Sequence, residues 1–424
     1  MGLRAGFAEI DITPPVGCQK IGWLKVIVSN RVADPLYVRA AVFDSAGQRI
    51  GLIQFDTLFV PATLVAEVRR RIEVDHGFPA GHVMFAATHN HAGPAVDNVG
   101  AVQRDDEYVK DLTARTVRCF GQAVEAMQPA EIGFARRFEF AVGHNRRIVM
   151  RDGTVRTHGA FADPEALCFE GPIDPEVAIL GVRAPGGAML GALVNFACHP
   201  AHHGGDEALS AGYPGVLAER MKSQDCPVTM FCLGAAGNIS TADPTGTAPE
   251  PTMVQAGEAL ARHIADALDG MAFTADVRLA SRSKTVRLPF REITDEQIRG
   301  TVRGAQRFVD PTIYDDVIPA EVERIRRLGG AEAAEVQVLR INDVALAAIP
   351  GELFVELGLR IKARAWPAKA LVVSCANGRL GYLPTREAFD RGGYETTFGP
   401  SSCMAPEAGD LLADAAIELI AQDP

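Results

Sequence analysis

Residues 87–94 read A-T-H-N-H-A-G-P and follow the apolar run Val83-Met84-Phe85-Ala86. Two histidines one residue apart at the end of such a run are suited to metal ligation. Positions i and i+2 of a strand share a face, so His89 and His91 would aim into one site. A second apolar run, 190–198, also ends on a histidine, His199, and turns at Pro200 within N-F-A-C-H-P-A-H-H-G-G-D. A third segment, I-P-G-E-L-F, turns at Pro350-Gly351 and delivers Glu352 at the start of an expected helix. Two imidazoles and a carboxylate are a common ligand set for a catalytic zinc, which keeps a fourth position for water. His89, His199 and Glu352 would supply that set. On spacing alone other readings stay open: either histidine can be a satisfied core or loop side chain, and Glu352 in a first helical turn is favoured by the helix dipole without any metal.

These residues need a sheet whose strands end at one place. Apolar or alternating runs predict strands near 5–12, 37–43, 50–55, 82–88, 132–142, 188–198, 228–232, 277–288, 336–341, 344–349 and 370–375. Helical periodicity predicts helices over 61–74, 106–127, 213–222, 252–268, 321–328, 351–365 and 407–420. Many neighbouring strands read as hairpins. The expected fold is mixed α/β, with predominantly antiparallel or mixed sheets covered by helices, in one large domain over 1–424. No internal repeat is visible. The turn-rich stretch 241–252 and the loosely patterned 302–320 read as surface loops.

A net charge of −11 argues against a nucleic-acid or anionic-membrane surface, which needs basic patches. No apolar run approaches the roughly 18 residues of a membrane span. The N-terminus lacks a signal-peptide core and reaches Glu9 early, and Gly6 stands where a myristoylation signal needs Ser or Thr. Eight scattered cysteines without a C-x-x-C pair read as reduced thiols. The expectation is a soluble cytoplasmic protein acting on a small molecule, with no nucleic-acid or membrane partner and with homo-oligomerisation left open. Metallo-β-lactamase-like hydrolases want Asp-His two and three residues after the second histidine, where this chain has Gly93 and Pro94. Barrel amidohydrolases want a strict β/α alternation that the chain does not show.

Seven stretches, taken together, resemble the neutral (non-lysosomal) ceramidases and their shorter bacterial relatives. They are A-E-I-D-I-T-P-P (8–15), T-H-N-H-A-G-P (88–94), H-N-R-R (144–147), G-P-I-D-P-E (171–176), N-F-A-C-H-P (195–200), P-G-E (350–352) and G-Y-E-T-T-F-G-P (393–400), in the order expected of that family. The resemblance implies a zinc-dependent amidase with His89, His199 and Glu352 as ligands, an acid/base role for His91 and a substrate or oxyanion contact for Arg146. It places Ser240, in G-N-I-S, at the family's serine, with Asn238 replacing an Asp. Two tyrosines of the family are missing: Arg379, in Asn377-Gly378-Arg379, stands where it has a zinc-ligating Tyr, and Phe389 where it has another. Tyr382 is then the nearby phenol, and His202 or Asp206 a substitute ligand. Arg379 would favour a carboxylate- or phosphate-bearing substrate, because a guanidinium binds such anions bidentately.

The expected function is hydrolysis of an amide, or else of an ester or lactone, in a small anionic substrate rather than ceramide, since the chain reads as having neither a leader nor the family's extra C-terminal β domain. His91 is the candidate proton shuttle. Arg146 would steady an oxyanion, and Ser240, Asn238, His202 and Arg379 would contact substrate. Asp56 would orient a liganding histidine or close a strand-end turn. Two alternatives remain: a metal-free hydrolase using Ser240 with His91 as base, which lacks a G-x-S-x-G elbow, and a ligand-binding relative without catalysis.

Overall fold

Three mixed sheets carry the fold of the computed structural model, which describes residues 2–422. In the first, Val83–Ala87, Gln48–Phe55, Tyr37–Ser45, Arg4–Asp11 and Gln128–Pro129 lie side by side. In the second the order is Thr229–Leu233, Met189–Phe196, Glu176–Arg183, Glu131–Phe138 and Phe273–Thr274. The third runs Leu279–Pro289, Ala331–Ile341, Val344–Ala348 and Lys369–Val373.

Each sheet contains one parallel pair: Gln48–Phe55 with Val83–Ala87, Met189–Phe196 with Thr229–Leu233, and Val344–Ala348 with Lys369–Val373. A parallel pair needs a crossover, usually a helix. Here the crossovers are the helices Ala62–His76, Gly212–Lys222 and Val355–Arg364. Every sheet therefore repeats one unit, an antiparallel hairpin followed by a helix and a parallel strand. No internal sequence repeat announces this threefold plan.

The inner strands, such as Glu176–Arg183 and Val344–Ala348, are apolar on both faces because both are covered, whereas the outer strand Leu279–Pro289 exposes Ser283, Lys284 and Thr285. One face of each sheet meets a shared central core that includes Leu52, Met84, Leu193, Met230, Leu346 and Val373. The alternate residues turn outward to the helices, as Ile53, Phe55 and Phe85 do in the first sheet and Val336, Ala345 and Val372 in the third. At the parallel edges the sheets touch: Ala87 N–H donates to Cys375 O at 3.1 Å, and Ser374 N–H to Leu233 O at 2.8 Å. The ends of all six parallel strands are thereby gathered at one place.

Most predicted elements are present, with two informative differences. Glu176–Arg183, the middle strand of the second sheet, escaped the sequence reading. Its run V-A-I-L-G-V does not alternate, and a short continuous apolar run has no distinguishing period. The helix predicted over 351–365 begins only at Val355. Glu352–Leu353 is instead a short strand, parallel to Tyr382–Leu383 and in register with it. All eight cysteines are free thiols. Among the described residues no helix is long and apolar enough to cross a membrane.

Candidate metal centre

The six segments that leave the parallel strands build the site. His89 and His91 follow Val83–Ala87, and His199 follows Met189–Phe196. Glu352 follows Val344–Ala348, and Cys375, Arg379 and Tyr382 follow Lys369–Val373. The remaining two exits supply backbone carbonyls. Ligand sites at the carboxyl ends of parallel strands are a general property of open α/β sheets. The two histidines of T-H-N-H do not converge by strand alternation, because the strand has ended at Ala87. They converge because His89 takes a left-handed conformation, φ 64°, which histidine tolerates better than most residues.

The donor atoms meet closely. His89 Nε2 lies 3.1 Å from His199 Nε2, and Glu352 Oε2 is 3.2 Å from each of them. His91 Nε2 is 3.3 Å from His89 Nε2, and ligand atoms of the three histidines fall within 4.8 Å of one another. Each imidazole is oriented by a carbonyl at its other nitrogen: His89 Nδ1 meets Leu58 O at 2.8 Å, His91 Nδ1 meets Gly22 O at 3.0 Å, and His199 Nδ1 meets Ala236 O at 2.6 Å. A ring nitrogen facing a carbonyl must donate, so in the neutral ring Nε2 keeps only a lone pair. Lone pairs facing one another at 3.1 Å are not hydrogen bonds. They fit a shared cation, since tetrahedral ligands about 2.0–2.1 Å from a zinc stand about 3.3 Å apart.

The electrostatics agree. Burial, aided by the Arg146 guanidinium, lowers the His199 imidazole to about 4. Burial with His89 and His199 close by holds His91 well below its ordinary value. Glu352 stays ionised against its burial, because His89 and the His199 hydrogen bond hold its carboxyl well below the usual range. Against its burial, Cys375 and Glu352 raise the His89 imidazole well above its ordinary value, so the ionised carboxylate draws positive charge to the centre of the cluster.

Behind the candidate metal ligands lies a buried charged network. Arg146 Nε donates to Glu395 Oε1 at 2.8 Å, and its Nη2 donates to Tyr382 OH at 3.1 Å and to Gly237 O at 2.8 Å. Arg147 Nη1 and the Thr157 hydroxyl donate to Glu395 Oε2 at 2.7 and 2.6 Å, while Arg147 also pairs with Glu170. Burial opposes the Glu395 charge, but Arg147 and Arg146 hold its carboxyl down at about 2.

His89, His91, Glu352, Arg379, Tyr382 and Tyr394 share the wall of one pocket of about 660 Å³, solvent at its mouth included. The structure places several predicted residues elsewhere. Arg146 stands behind Tyr382, with its ring-facing guanidinium carbon 5.6 Å from the Tyr382 ring centre, so it supports the phenol instead of lining the pocket. Asn238 does not line it either: its Oδ1 accepts from Val355 N–H at 2.9 Å and its Nδ2 donates to Glu356 at 3.0 Å, tying down the start of the Val355–Arg364 helix. Ser240 is buried, outside the pocket, with no hydrogen-bond partner for Oγ among the described residues, and the His91 nitrogens face Gly22 O and His89; a Ser240–His91 dyad does not form. His202 Nε2 donates to Pro251 O at 3.0 Å, and Asp206 is hydrogen-bonded to His203 Nδ1 and paired with Arg31, so neither replaces the missing tyrosine ligand. Asp56 receives Arg39, Gln54 and the Tyr37 amide and touches no histidine. Phe389 lies under Arg291, away from the candidate metal ligands.

Sequence reasoning passed over Tyr394, whose ring meets Tyr382 edge-on at 5.7 Å, and Glu395. Both lie inside the recognised stretch G-Y-E-T-T-F-G-P, which was the available signal. Cys375, with Sγ 3.3 Å from His89 Nδ1, carried no signal, since a lone buried cysteine is usually core.

Comparison with known proteins agrees with this architecture. The chain superposes on neutral ceramidase from Pseudomonas aeruginosa with a TM-score of 0.74 at 20% identity, over 99% of this chain and 75% of that one. It superposes on a ceramidase complexed with C2 with a TM-score of 0.73, at the same identity and coverages of 99% and 75%. No family model matches the sequence, and no curated protein matches it. At that identity the likeness is one of fold: the chain has the neutral ceramidase fold, not a barrel.

Proposed function

We propose that this chain, folded as the ceramidases are, is a zinc-dependent hydrolase of the amide bond of a small molecule other than ceramide. The observation that carries the reading is the convergence of His89 Nε2, His199 Nε2 and Glu352 Oε2 at mutual separations of 3.1 to 3.2 Å. A catalytic zinc keeps one position open, so three protein ligands suit the role better than four. The tightest triad is His89, His199 and Glu352. His91 is left beside the open position as the group that takes and returns a proton. A zinc ion held there, when bound, polarises an amide carbonyl and makes water a nucleophile near neutral pH.

The chain's own residues do the rest. His91 is unprotonated near neutral pH because burial lowers its affinity for a proton, and its Gly22 contact fixes the ring so that Nε2 faces the reacting centre. Tyr382 OH accepts from Arg146, which leaves its own O–H free to point into the pocket. Burial and the Glu352 charge hold that phenol well above its ordinary pKa, so it remains a donor to the developing oxyanion. Tyr382 lies beside Glu352 because their strands are in register.

Tyr382→Phe is expected to lower kcat about 10²- to 10³-fold, the usual cost of one oxyanion donor, with bound zinc unchanged. Steady-state kinetics alongside metal analysis will check this. The test of the whole reading is inductively coupled plasma mass spectrometry on unchelated protein, followed by a panel of matched short-chain amides, esters and lactones. About one zinc per chain and amide hydrolysis that a chelator abolishes and zinc restores are expected. Absence of zinc after reconstitution, or hydrolysis indifferent to chelation, would overturn it.

A further inference from the structure

One cation in the pocket has no counter-charge in contact with it among the described residues. Arg379 is the only Lys or Arg among the described residues that line it. Arg146 and Arg147, more deeply buried, both meet Glu395, and Arg39 meets Asp56 and Glu9. Arg379 has no carboxylate within 4.0 Å among the described residues. Its one protein hydrogen bond is a long one, Nη2 to Pro400 O at 3.3 Å, and its guanidinium carbon lies 4.7 Å over the Phe59 ring. Burial weakens its hold on the proton, and Asp97 and Glu321 offset this only from a distance. Arg291 also lacks a carboxylate, but a 2.7 Å bond to Thr396 O holds it between Phe389 and Phe398, apart from the metal ligands.

The frame around Arg379 is the frame of the metal centre. Phe59, beneath its guanidinium, follows Leu58, whose carbonyl orients His89. Two residues before Arg379, Asn377 is pinned to the strand that precedes His89: Phe85 N–H donates to its Oδ1 at 2.8 Å, and its own N–H donates to Phe85 O at 2.9 Å. Its Nδ2 donates to Gln337 Oε1 at 2.7 Å. A partly desolvated guanidinium preorganised in this way is built to receive an anion.

We propose that Arg379 is the specificity-determining residue of the pocket and that the substrates are amides bearing a carboxylate, received by its guanidinium. This rests on the amidase reading above and deepens it. A single positive charge matches a carboxylate, whereas a phosphate dianion needs further donors. The nearby Lys20 cannot supply them, because its ammonium is turned to the carbonyls of His203 and Asp206 at 2.7 Å each. Ile21, Leu24, Phe59 and Val99 give the rest of the wall an apolar character, which suits a short acyl or alkyl chain. The carboxylate can stand on the amine half, as in an N-acyl amino acid, or on the acyl half, as in a dicarboxylic monoamide.

The test compares zinc-loaded wild type, Arg379→Gln and Arg379→Lys on N-octanoylglycine and N-hexylglutaramate, each beside its neutral carboxamide. In wild type the carboxylate form of one pair is expected to have kcat/KM about 100-fold above its carboxamide, the scale of one charge-assisted hydrogen-bonded contact. That pair identifies the half that carries the charge. The ratio should fall to within about 3-fold in Arg379→Gln and stay intermediate in Arg379→Lys. Calorimetric binding of octanoate, octanamide and octyl phosphate is read in parallel, independently of turnover. An octanoate preference lost in Arg379→Gln supports the anion site even if no amide is cleaved, a result that would overturn only the amidase reading. Amides cleaved with no charge preference, a preference that survives Arg379→Gln, or tighter binding of octyl phosphate than octanoate would each overturn the inference and leave the amidase reading standing.

Discussion

His89→Ala and His199→Ala are each expected to leave the purified chain with less than about a tenth of its zinc and to lower turnover by on the order of 10³-fold or more. His91→Ala should keep the zinc and lose about 10²- to 10⁴-fold in kcat, the range of a general acid–base group. The contrast follows from the geometry. His89 and His199 present Nε2 lone pairs to each other at 3.1 Å and to Glu352 at 3.2 Å, so removing either ring opens the triad. His91 makes its close approach to the triad at His89, 3.3 Å between the Nε2 atoms, without a contact to Glu352 of the kind the other two rings make. Metal analysis and kinetics on the same preparations separate the two roles. Zinc lost from His91→Ala to the same extent would make that ring a ligand, closing a set of four and removing the open position that hydrolysis needs.

Glu395→Gln should destabilise the fold by about 3–5 kcal/mol, the scale seen when one partner of a buried ion pair is removed. Two guanidiniums and a hydroxyl converge on this fully buried carboxylate. The amide would accept from them but leave Arg146 without a counter-charge. Arg147 retains Glu170, so the damage concentrates on Arg146 and, through it, on Tyr382. Activity should therefore fall beyond what the lost stability explains. The pH dependence has a definite sign. The Glu395 carboxyl is depressed from 4.5 to about 2, so the stability it contributes is complete above about pH 4.5 and is lost as the pH falls through about 2. The gap in urea midpoint between wild type and Glu395→Gln should be full near neutrality and narrow across that window. A gap of constant size down to pH 2 would show that the carboxylate's charge is not what matters.

The histidines at the ends of apolar runs, His89 and His199, stood out from the chain alone as candidates, because an imidazole that closes a buried strand beside a turn is an unusual use of a polar ring, but core and loop roles stayed open until the structure brought them together. Glu352 was legible only through the resemblance, since an acidic residue after Pro-Gly reads equally well as the start of a helix. The strands and helices were legible where their periods are clean, as in the helix Asp106–Glu125, and not where a strand is apolar on both faces, as in Glu176–Arg183.

The tertiary structure alone decided which side chains face the pocket. Asn238 and Arg146 carry groups suited to substrate, yet Asn238 holds a helix start and Arg146 braces Tyr382. Tyr394 and Glu395 sit side by side in sequence and part, one to the pocket wall and the other to the buried network. The physical reason is the threefold repeat of hairpin, helix and parallel strand, which gathers six strand ends at one place. Local sequence specifies each strand and each turn. The meeting of their ends depends on how three sheets share a core, and that packing is set by side chains spread over the whole chain.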